Sequence, residues 1–411
     1  MKGSTIAVIV VLIVAIVASG AYLATGSLSG HTTSTSSTQQ PSTVTLVQTT
    51  SLTATTSIIS TATSTATSVS TSVVTTTASS TTSTTTSSSN TTNSINLVRI
   101  GYFANLNHGP AVLGLSNGDF QKFLGPTTSI KTYLFTAGPT EMTALLAGQI
   151  DMAYVGPSPA VNAFIQSNGT ALKIVAGVAS GGAVFVVRNA SNINSIKDLG
   201  GKTFAAPQLG NTQDIALRSF LLRNGFRTTD QGGNVTVEDT SNSNIVTLMV
   251  QGKLDGAWVP EPYASILIYT AACHVFVDER SLWPNGQFST AELVVSSSFL
   301  KAHADVVKKI IAADVFETRY IMNNTGTASA AIDKQIGNLT NTTPTNSTIF
   351  SNAMTYLSFA YDPLETSVAQ QAQNAYVLGF LGSSVPNLNG LFDLTLLNQV
   401  LQEQGLTQIS G

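Results

Sequence analysis

The sequence predicts an α/β fold for the chain from about residue 97 onward. Three observations lead to that prediction: a change of composition near residue 97, short apolar segments that alternate with helix-length segments, and one supersecondary pattern that occurs twice. Strands separated by helical segments favour sheets that are mostly parallel. In such a fold, ligands bind beyond the carboxyl ends of the strands.

The chain begins with an apolar segment, TIAVIVVLIVAIVASGAYLAT, at residues 5–25. It is long enough to cross a hydrocarbon core of about 30 Å at about 1.5 Å per residue. We predict a signal or membrane anchor over residues 1–25, and the length of the apolar run favours a retained anchor over a cleaved signal. The leader MKG is similar to the pilin-like leaders of archaeal surface proteins, and no cysteine follows that a bacterial lipoprotein anchor would need.

Residues 26–96 are dominated by Ser and Thr, and no Asp, Glu, Lys or Arg occurs between Lys2 and Arg99. With so few large apolar side chains, this segment is predicted to be a disordered stalk. It is either a carrier of O-linked glycans or a bare linker. An extracytoplasmic location is also favoured by the N-x-S/T sequons at Asn90, Asn168, Asn189, Asn234, Asn323, Asn338, Asn341 and Asn346.

The composition of the remaining chain excludes several classes of function. All acidic and all but one of the basic residues lie there, and the formal net charge of the whole chain is only −3, so there is no basic footprint for nucleic acid. The single cysteine, Cys273, excludes an intramolecular disulfide. The histidines lack the spacing of a zinc site, and neither a P-loop nor a G-x-S-x-G motif occurs. We predict no metal, no cofactor and no catalytic residue.

Short strand-like segments such as VRIGYF, DMAYVG, AVFVVR and ELVVSS recur up to Ser298, after which the pattern is helical to the C-terminus. Within this region, EMTALLAGQIDMAYVGPSPAVNAF (141–164) aligns without gaps on IVTLMVQGKLDGAWVPEPYASIL (245–267). Each copy reads as a helix, a glycine C-cap, an Asp-led strand and a proline-marked turn into another helix. The repeat predicts two similar lobes whose GPSP and PEP turns face a common cleft.

Four segments together, GQIDMAYVGPSP, AAPQLGNTQDIALRSFL, GKLDGAWVPEPYAS and VFVDERSLWPNGQFSTAELVVSSSFLKAH, resemble the extracytoplasmic substrate-binding proteins of ABC importers for nitrate, sulfonate and taurine. The resemblance covers about residues 97–411. It implies a two-lobed periplasmic-binding-protein fold of the Venus-flytrap type II class with a hinge. The first lobe would comprise residues 97–182 and 296–411, and the second lobe residues 183–295.

The same resemblance implies a function without covalent chemistry. The lobes would close around a small sulfonate, taurine-like or nitrate-type ligand, and the closed form would dock on an ABC permease with separate ATPase subunits. The globular part would be a monomer, held at the outer face of the cytoplasmic membrane by the N-terminal helix. Two alternatives remain open: a receptor for a thiamine-precursor pyrimidine, and a cell-surface adhesion or structural protein.

The turn at Gly210, Asn211, Thr212 and Gln213 is the strongest candidate for ligand contact, because it precedes a helix whose free N–H groups favour an anion. Asn211 or Thr212 also fits the role of an ordinary N-cap. Asp214 either complements the helix dipole or receives a ligand amine.

The other candidates follow strands or begin helices on the predicted cleft. Asn107 and His108 follow the first strand, and His108 is either a capping residue or a donor to an oxyanion. Gly138, Thr140, Gly156 and Ser158 lie at two further helix starts in the first lobe, whereas Trp258 and Glu261 are the matching candidates in the second lobe. Trp258 is either a core aromatic or a stacking surface, and Glu261 is predicted to hold a ligand amine or contact the permease.

Overall fold

The structure is a computed structural model that describes residues 95–410. The predicted anchor and almost all of the predicted stalk, residues 1–94, lie outside the described residues. Within the described part, no helix combines the length and the apolar character that a membrane crossing requires.

Residues 95–410 contain eleven strands and thirteen α-helices. The strands are β1 (Leu97–Phe103), β2 (Ser129–Phe135), β3 (Met152–Val155), β4 (Leu172–Gly181), β5 (Ala183–Arg188), β6 (Thr203–Ala206), β7 (Thr236–Asp239), β8 (Gly256–Pro260), β9 (Cys273–Asp278), β10 (Ser289–Ser296) and β11 (Leu357–Phe359). The helices are α1 (Gly109–Ser116), α2 (Asp119–Leu124), α3 (Gly138–Leu146), α4 (Pro157–Gln166), α5 (Thr212–Arg223), α6 (Asn242–Val250), α7 (Tyr263–Thr270), α8 (Ser297–Ala302), α9 (Ala304–Asn323), α10 (Thr325–Thr340), α11 (Ser347–Met354), α12 (Glu365–Val377) and α13 (Thr395–Glu403).

The strands form two sheets, each of which is the centre of one lobe. The first sheet has six strands in the order β11-β4-β10-β3-β1-β2. Its side chains alternate between two apolar cores, since Met152 and Tyr154 lie in one core and Ala153 and Val155 lie in the other. The first lobe is therefore a three-layer arrangement with helices on both faces of the sheet.

The second sheet has five strands in the order β7-β6-β8-β5-β9. The same alternation holds along β8, where Trp258 belongs to one core and Ala257 and Val259 belong to the other. Every residue of β8 is buried, as expected for a central strand that is covered on both faces. The α/β class predicted from the sequence is confirmed in both lobes.

The prediction of mostly parallel sheets is wrong, because five of the nine pairings between the described strands are antiparallel. These are β10 with β3, β10 with β4, β11 with β4, β5 with β8, and β5 with β9. The chain enters β5 directly from β4 and enters β10 without an intervening α-helix, so neither strand is reached by the helical crossover that makes neighbours parallel. The prediction of an exclusively helical C-terminus is also wrong, since β11 adds an edge strand to the first sheet.

The chain passes between the two sheets at two points. The first is Gly181 and Gly182, which both have positive φ values, 78° and 72°, in the left-handed region that glycine adopts without strain. The second lies just before β10, which starts at Ser289 and belongs to the first sheet. The structure therefore puts this passage earlier than the boundary between residues 295 and 296 that the sequence suggested.

The repeated sequence unit is confirmed as a repeated structural unit. In each copy a helix ends near a glycine of positive φ, Gly148 or Gly252, and an aspartate then leads the strand. Asp151 Oδ2 accepts the backbone N–H of Arg99 at 2.8 Å, and Asp255 Oδ2 accepts that of Thr203 at 2.9 Å. Each aspartate thus ties its strand to the parallel neighbour in the same way.

Candidate functional site

A small polar cavity lies between the two lobes and has a volume of about 20 Å³, which is room for about one water molecule. Residues of both lobes line it: Phe103, Asn105, Asn107, His108, Gly156 and Thr290 from the first lobe, and Asn211, Thr212, Gln213, Asn242 and Pro260 from the second. The structure therefore brings together six of the twelve residues predicted from the sequence, which are Asn107, His108, Gly156, Asn211, Thr212 and Gln213. A larger solute enters this cavity only if the lobes separate.

The repeat that relates the two lobes also relates the walls of the cavity. Asn107 and Asn211, which follow β1 and β6 respectively, are 104 positions apart, the same offset that separates Asp151 from Asp255. His108 corresponds by this offset to Thr212, Gly156 to Pro260, and Gly138 to Asn242. The cavity is thus built from two equivalent half-sites that face each other with different side chains.

His108 is held in its neutral form. Its ring is buried and stacks on Phe103 with the ring centroids 4.5 Å apart. The backbone N–H of Phe103 donates to His108 Nδ1 at 3.2 Å, so Nδ1 is an acceptor and the proton resides on Nε2. Burial lowers the pKa of His108 to about 3. The neutral Nε2–H group is therefore the donor that the His108 side chain can offer to a ligand.

Asn107 is buried and fixed in orientation. Its Nδ2 donates to the carbonyl oxygen of Gly181 at 3.0 Å and to Thr290 Oγ1 at 2.9 Å. Its Oδ1 is buried and has no hydrogen-bond partner within residues 95–410. Since both amide hydrogens are engaged, Oδ1 is the only polar side-chain atom that Asn107 can offer to a ligand.

The start of α5 supplies donors from the second lobe. The backbone N–H groups of a helix's first turn have no partner within the helix, and the side chain of Asn211 does not cap them. Asn211 Nδ2 instead donates to Gln213 Oε1 at 3.2 Å, and Thr212 Oγ1 is buried with no hydrogen-bond partner in the part of the chain that the structure describes. Ordinary N-capping therefore does not explain this turn, and its geometry suits an acceptor group of a ligand.

Gly210 and Asp214 stabilise this turn without lining the cavity. Asp214 is fully buried, accepts the backbone N–H of Gly210 at 2.9 Å, and pairs with Arg218 Nε at 2.6 Å. Burial raises the pKa of Asp214, and the guanidinium of Arg218 opposes that rise. Asp214 is thus committed to the fold, and Gly210, with φ of 76°, provides the left-handed turn before α5.

Three predicted residues of the first lobe, Gly138, Thr140 and Ser158, are not among the residues that line the cavity. Gly138 approaches the second lobe closely, because a Cβ added there would lie 3.1 Å from Asn211 Oδ1. Thr140 Oγ1 donates to the carbonyl oxygen of Ala137 at 2.9 Å and closes a local turn. Ser158 is buried in the first turn of α4, and its Oγ has no hydrogen-bond partner among the described residues.

The side chains of Trp258 and Glu261 are buried in the second lobe and do not line the cavity, although the backbone carbonyl of Glu261 accepts the N–H of Leu106 from the first lobe at 3.0 Å. Trp258 stacks on Phe185, and its Nε1 donates to Glu279 at 2.7 Å. Glu261 is fully buried and accepts hydrogen bonds from the N–H and the hydroxyl of Ser265, with a pKa that burial raises to about 7. Among residues 258–261, Pro260 is the one that lines the cavity, and the structure places Trp258 in an apolar core.

Sequence reasoning missed five of the lining residues: Phe103, Asn105, Asn242, Pro260 and Thr290. The offset of the repeat was a signal for two of them, since it carries Gly138 to Asn242 and Gly156 to Pro260. Thr290 reaches the cavity because β10 returns to the first sheet beside β4, which is a tertiary feature with no local signal.

The lining of the cavity is polar but carries no formal charge. None of the eleven lining residues is Lys, Arg, Asp or Glu, and His108 is neutral. In the described part of the chain, no group of three His, Cys, Asp or Glu side chains is arranged to hold a metal ion. The cavity therefore offers hydrogen-bond donors, from the start of α5 in the second lobe and from His108 in the first, together with the fixed acceptor of Asn107.

Two sheets joined by two chain passages, with a polar cavity between their lobes, define the periplasmic-binding-protein fold. The solved structures agree. The alkanesulfonate-binding protein SsuA from Xanthomonas axonopodis pv. citri, bound to MOPS, is 20% identical, with a TM-score of 0.60 over 72% of this chain and 97% of SsuA. The periplasmic nitrate-binding protein NrtA from Synechocystis PCC 6803 is 12% identical, with a TM-score of 0.63 over 75% of this chain and 89% of NrtA.

The chain belongs to the NMT1-like family, whose model matches residues 93–334. A curated relative, a binding protein of Brucella abortus strain 2308, is 28% identical over 224 residues, which are 52% of this chain. The match spans 64% of the length of that relative. The resemblance and the fold predicted from the sequence are confirmed.

Proposed function

We propose that this protein is the extracytoplasmic solute-binding receptor of an ABC importer, with a small sulfonate, taurine-like or nitrate-type ligand. The observation that carries the proposal is the cavity between the lobes, which has polar groups of both lobes directed at one small space. The family, the fold, and the sulfonate- and nitrate-binding proteins that share that fold support the same function.

The chemistry of the cavity suits capture and release. The N–H groups at the start of α5, the hydroxyl of Thr212 and the Nε2–H of His108 are donors that can bind oxyanion oxygens without a lysine or arginine. Hydrogen bonds to neutral donors hold an anion less strongly than an ion pair does. Weaker binding favours a receptor that must release its ligand to a permease.

Closure of the lobes would distinguish the ligand-bound receptor from the ligand-free receptor. Residues such as Gly156 and Thr212 come from different lobes, so their contact exists only when the lobes are together. A ligand that bridges both lobes stabilises the closed state by its differential affinity for that state. The closed state is the form that would dock on the permease, and the N-terminal apolar segment would keep the receptor at the membrane.

The alternative of a thiamine-precursor pyrimidine receives no support from the cavity. To bind such a pyrimidine, Trp258 would have to stack on its ring, and Glu261 or Asp214 would have to pair with its amino group. All three side chains are buried and used by the fold itself. Phe103 is the aromatic residue among the lining residues, and it already stacks on His108.

Thermal unfolding of the full-length protein in detergent tests the proposal. The panel comprises nitrate, alkanesulfonates, taurine, bicarbonate and aminopyrimidines, each added after bound ligand has been removed by unfolding and refolding. A ligand at a hundred times its Kd adds about 2.7 kcal/mol to the free energy of unfolding. We expect a saturable rise of Tm with sulfonates or nitrate, whereas a rise with none of the panel would favour the adhesion or structural alternative.

A further inference from the structure

Asn107 presents a hydrogen-bond acceptor to the ligand, whereas the start of α5 presents donors. Its amide is locked, because Nδ2 faces two acceptors, the Gly181 carbonyl oxygen and Thr290 Oγ1. Thr290 Oγ1 in turn lies 2.7 Å from the same carbonyl oxygen, to which it donates. Rotating the amide by half a turn would place Oδ1 against the Gly181 oxygen, so the acceptor of Asn107 cannot become a donor.

The hydrogen bonds that fix the Asn107 amide lie at the chain passage between the two lobes rather than in a free loop. Gly181 and Gly182 join β4 to β5, and a Cβ on Gly182 would lie 2.7 Å from Asn107 Nδ2. Asn107 is 2% exposed, and its Oδ1 has no partner among the described residues. A buried acceptor left unpaired is unfavourable, and the imbalance is removed when a ligand donates to it.

We infer that the solute bound in this cavity carries an N–H or O–H group that donates to Asn107 Oδ1. The inference rests on the proposed function and narrows its ligand class to hydroxyl- or amino-bearing small solutes. Acceptor-only anions such as nitrate and unsubstituted alkanesulfonates would satisfy the donors of α5 but leave Asn107 Oδ1 unpaired. A site with a fixed hydrogen-bonding group discriminates strongly against a ligand that lacks the matching group.

The two ends of such a ligand would have separate partners. Its acceptor end would meet the start of α5 and Thr212 in the second lobe, and its donor end would meet Asn107 in the first lobe. Asn242 Oδ1, in the second lobe, is another lining acceptor that is buried without a partner. With no charged side chain in the lining, a neutral or zwitterionic solute needs no compensating ion there.

Three sulfonates that differ at one group test the inference by isothermal titration calorimetry with the full-length protein in detergent. Ethanesulfonate has no donor, 2-hydroxyethanesulfonate has an O–H, and taurine has an ammonium. Nitrate is the fourth probe. We expect the two donor-bearing sulfonates to bind about 10-fold or more tightly than ethanesulfonate, because only they pair the buried acceptor.

The variant Asn107→Leu removes the acceptor at similar volume and should bring the affinity ratio of taurine to ethanesulfonate close to one. Asn162→Leu is the matched control, since Asn162 lies on α4 outside the cavity and bonds only to Gln166 on its own helix. Circular dichroism establishes that both variants fold. The ratio measured in the unsubstituted protein stands as a test even if Asn107→Leu does not fold.

The outcomes separate the inference from the proposed function. Ethanesulfonate or nitrate binding as tightly as taurine would overturn the inference while leaving a solute receptor in place. An unchanged preference for donors in a folded Asn107→Leu variant would also overturn it, because the donor would then be recognised elsewhere. Failure of all four probes to bind would count against the proposed function for this ligand class, and the inference would fall with it.

Discussion

The contact between Gly156 and Thr212 shows how one residue controls the approach of the two lobes. A Cβ on Gly156 would lie 2.3 Å from Thr212 Oγ1 and 3.3 Å from Thr212 Cβ. The separation from Oγ1 is far below van der Waals contact and the separation from Cβ is tight, so a side chain at position 156 would meet Thr212 of the opposite lobe. Glycine is therefore required here by interlobe approach, since the backbone of Gly156 itself is extended, with φ of −69°.

We predict that Gly156→Ala weakens binding of the ligand by about 10-fold or more, because the overlap with Thr212 must be relieved before the lobes close. The thermal stability without ligand should change little, since the overlap arises only in the closed state. Gly326→Ala is the control, because a Cβ at Gly326 meets no atom within 4 Å. Equal affinities of the two variants, measured by calorimetry, would show that closure at this point does not control binding.

Glu279 illustrates a buried carboxyl whose titration affects the stability of the second lobe. Burial raises the pKa of Glu279 to about 8, although hydrogen bonds from Trp258 and Trp283 oppose the rise. The folded state therefore keeps a proton that the unfolded state loses above about pH 4.5. Its stabilising contribution is fully present below that pH and is lost as the pH rises through about 8.

Between pH 5 and 8, the free energy of unfolding should decrease with rising pH, and we predict that this decrease is smaller in the Glu279→Gln variant. One such group contributes a slope of up to about 1.4 kcal/mol per pH unit, and glutamine keeps an acceptor for Trp258 Nε1. The measurement is urea unfolding of both proteins at several pH values. Parallel profiles for the two proteins would mean that Glu279 does not titrate in this range.

At the scale of the elements, the aspartates that lead β3 and β8 act as ties between parallel strands. The backbone N–H of Asp151 donates to the carbonyl oxygen of Arg99 in β1, and the Asp151 carboxylate accepts the Arg99 backbone N–H at 2.8 Å and its guanidinium at 2.5 Å. In the same way, the backbone N–H of Asp255 donates to the carbonyl oxygen of Thr203 in β6, and the Asp255 carboxylate accepts the Thr203 N–H. The position of each aspartate thus specifies which residues of two parallel strands lie side by side.

We predict that Asp255→Ala lowers the free energy of unfolding by about 1–3 kcal/mol, because the Thr203 N–H loses its side-chain acceptor. Asp151→Ala should cost more, since it also releases the guanidinium of Arg99. Urea unfolding of both variants checks the order. A smaller loss for Asp151→Ala than for Asp255→Ala would contradict the idea that the two residues share one structural role.

At the scale of the whole molecule, residues 95–410 contain both sheets and the four apolar cores. We predict that a chain starting at residue 95 is soluble, monomeric and stabilised by the same ligand as the full-length protein. Light scattering after gel filtration checks the mass, and aggregation of this shorter chain would show that residues before 95 contribute to the fold.

We also predict that the ligand changes the dimensions of this shorter chain in solution. The closed cavity holds about 20 Å³, so a sulfonate can enter only after the lobes separate. The ligand-free protein should therefore include open states, and a saturating ligand should lower its radius of gyration in small-angle X-ray scattering. An unchanged radius with bound ligand would mean that binding does not require movement of the lobes.

The sequence by itself determined the α/β class, the repeated unit and half of the candidate site. Strand-like runs, glycine caps and leading aspartates are local features, so they could be recognised without knowing what packs against them. The turn Asn211-Thr212-Gln213 and the residues Asn107, His108 and Gly156 were found because they end strands or begin helices. Their meeting in one cavity follows from the repeat, which places equivalent turns at the same edge of both sheets.

Only the tertiary structure decided which polar side chains are free to meet a ligand. Strand direction is not encoded in an apolar run, so the antiparallel β5 and β10, and with them Thr290, could not be predicted. Trp258 and Glu261 follow the same repeat pattern as the cavity residues, yet their partners Glu279 and Ser265 hold them in the second lobe. Burial and hydrogen bonding depend on distant segments of the chain, and for that reason the fixed acceptor of Asn107 became visible only once Gly181 and Thr290 were in place.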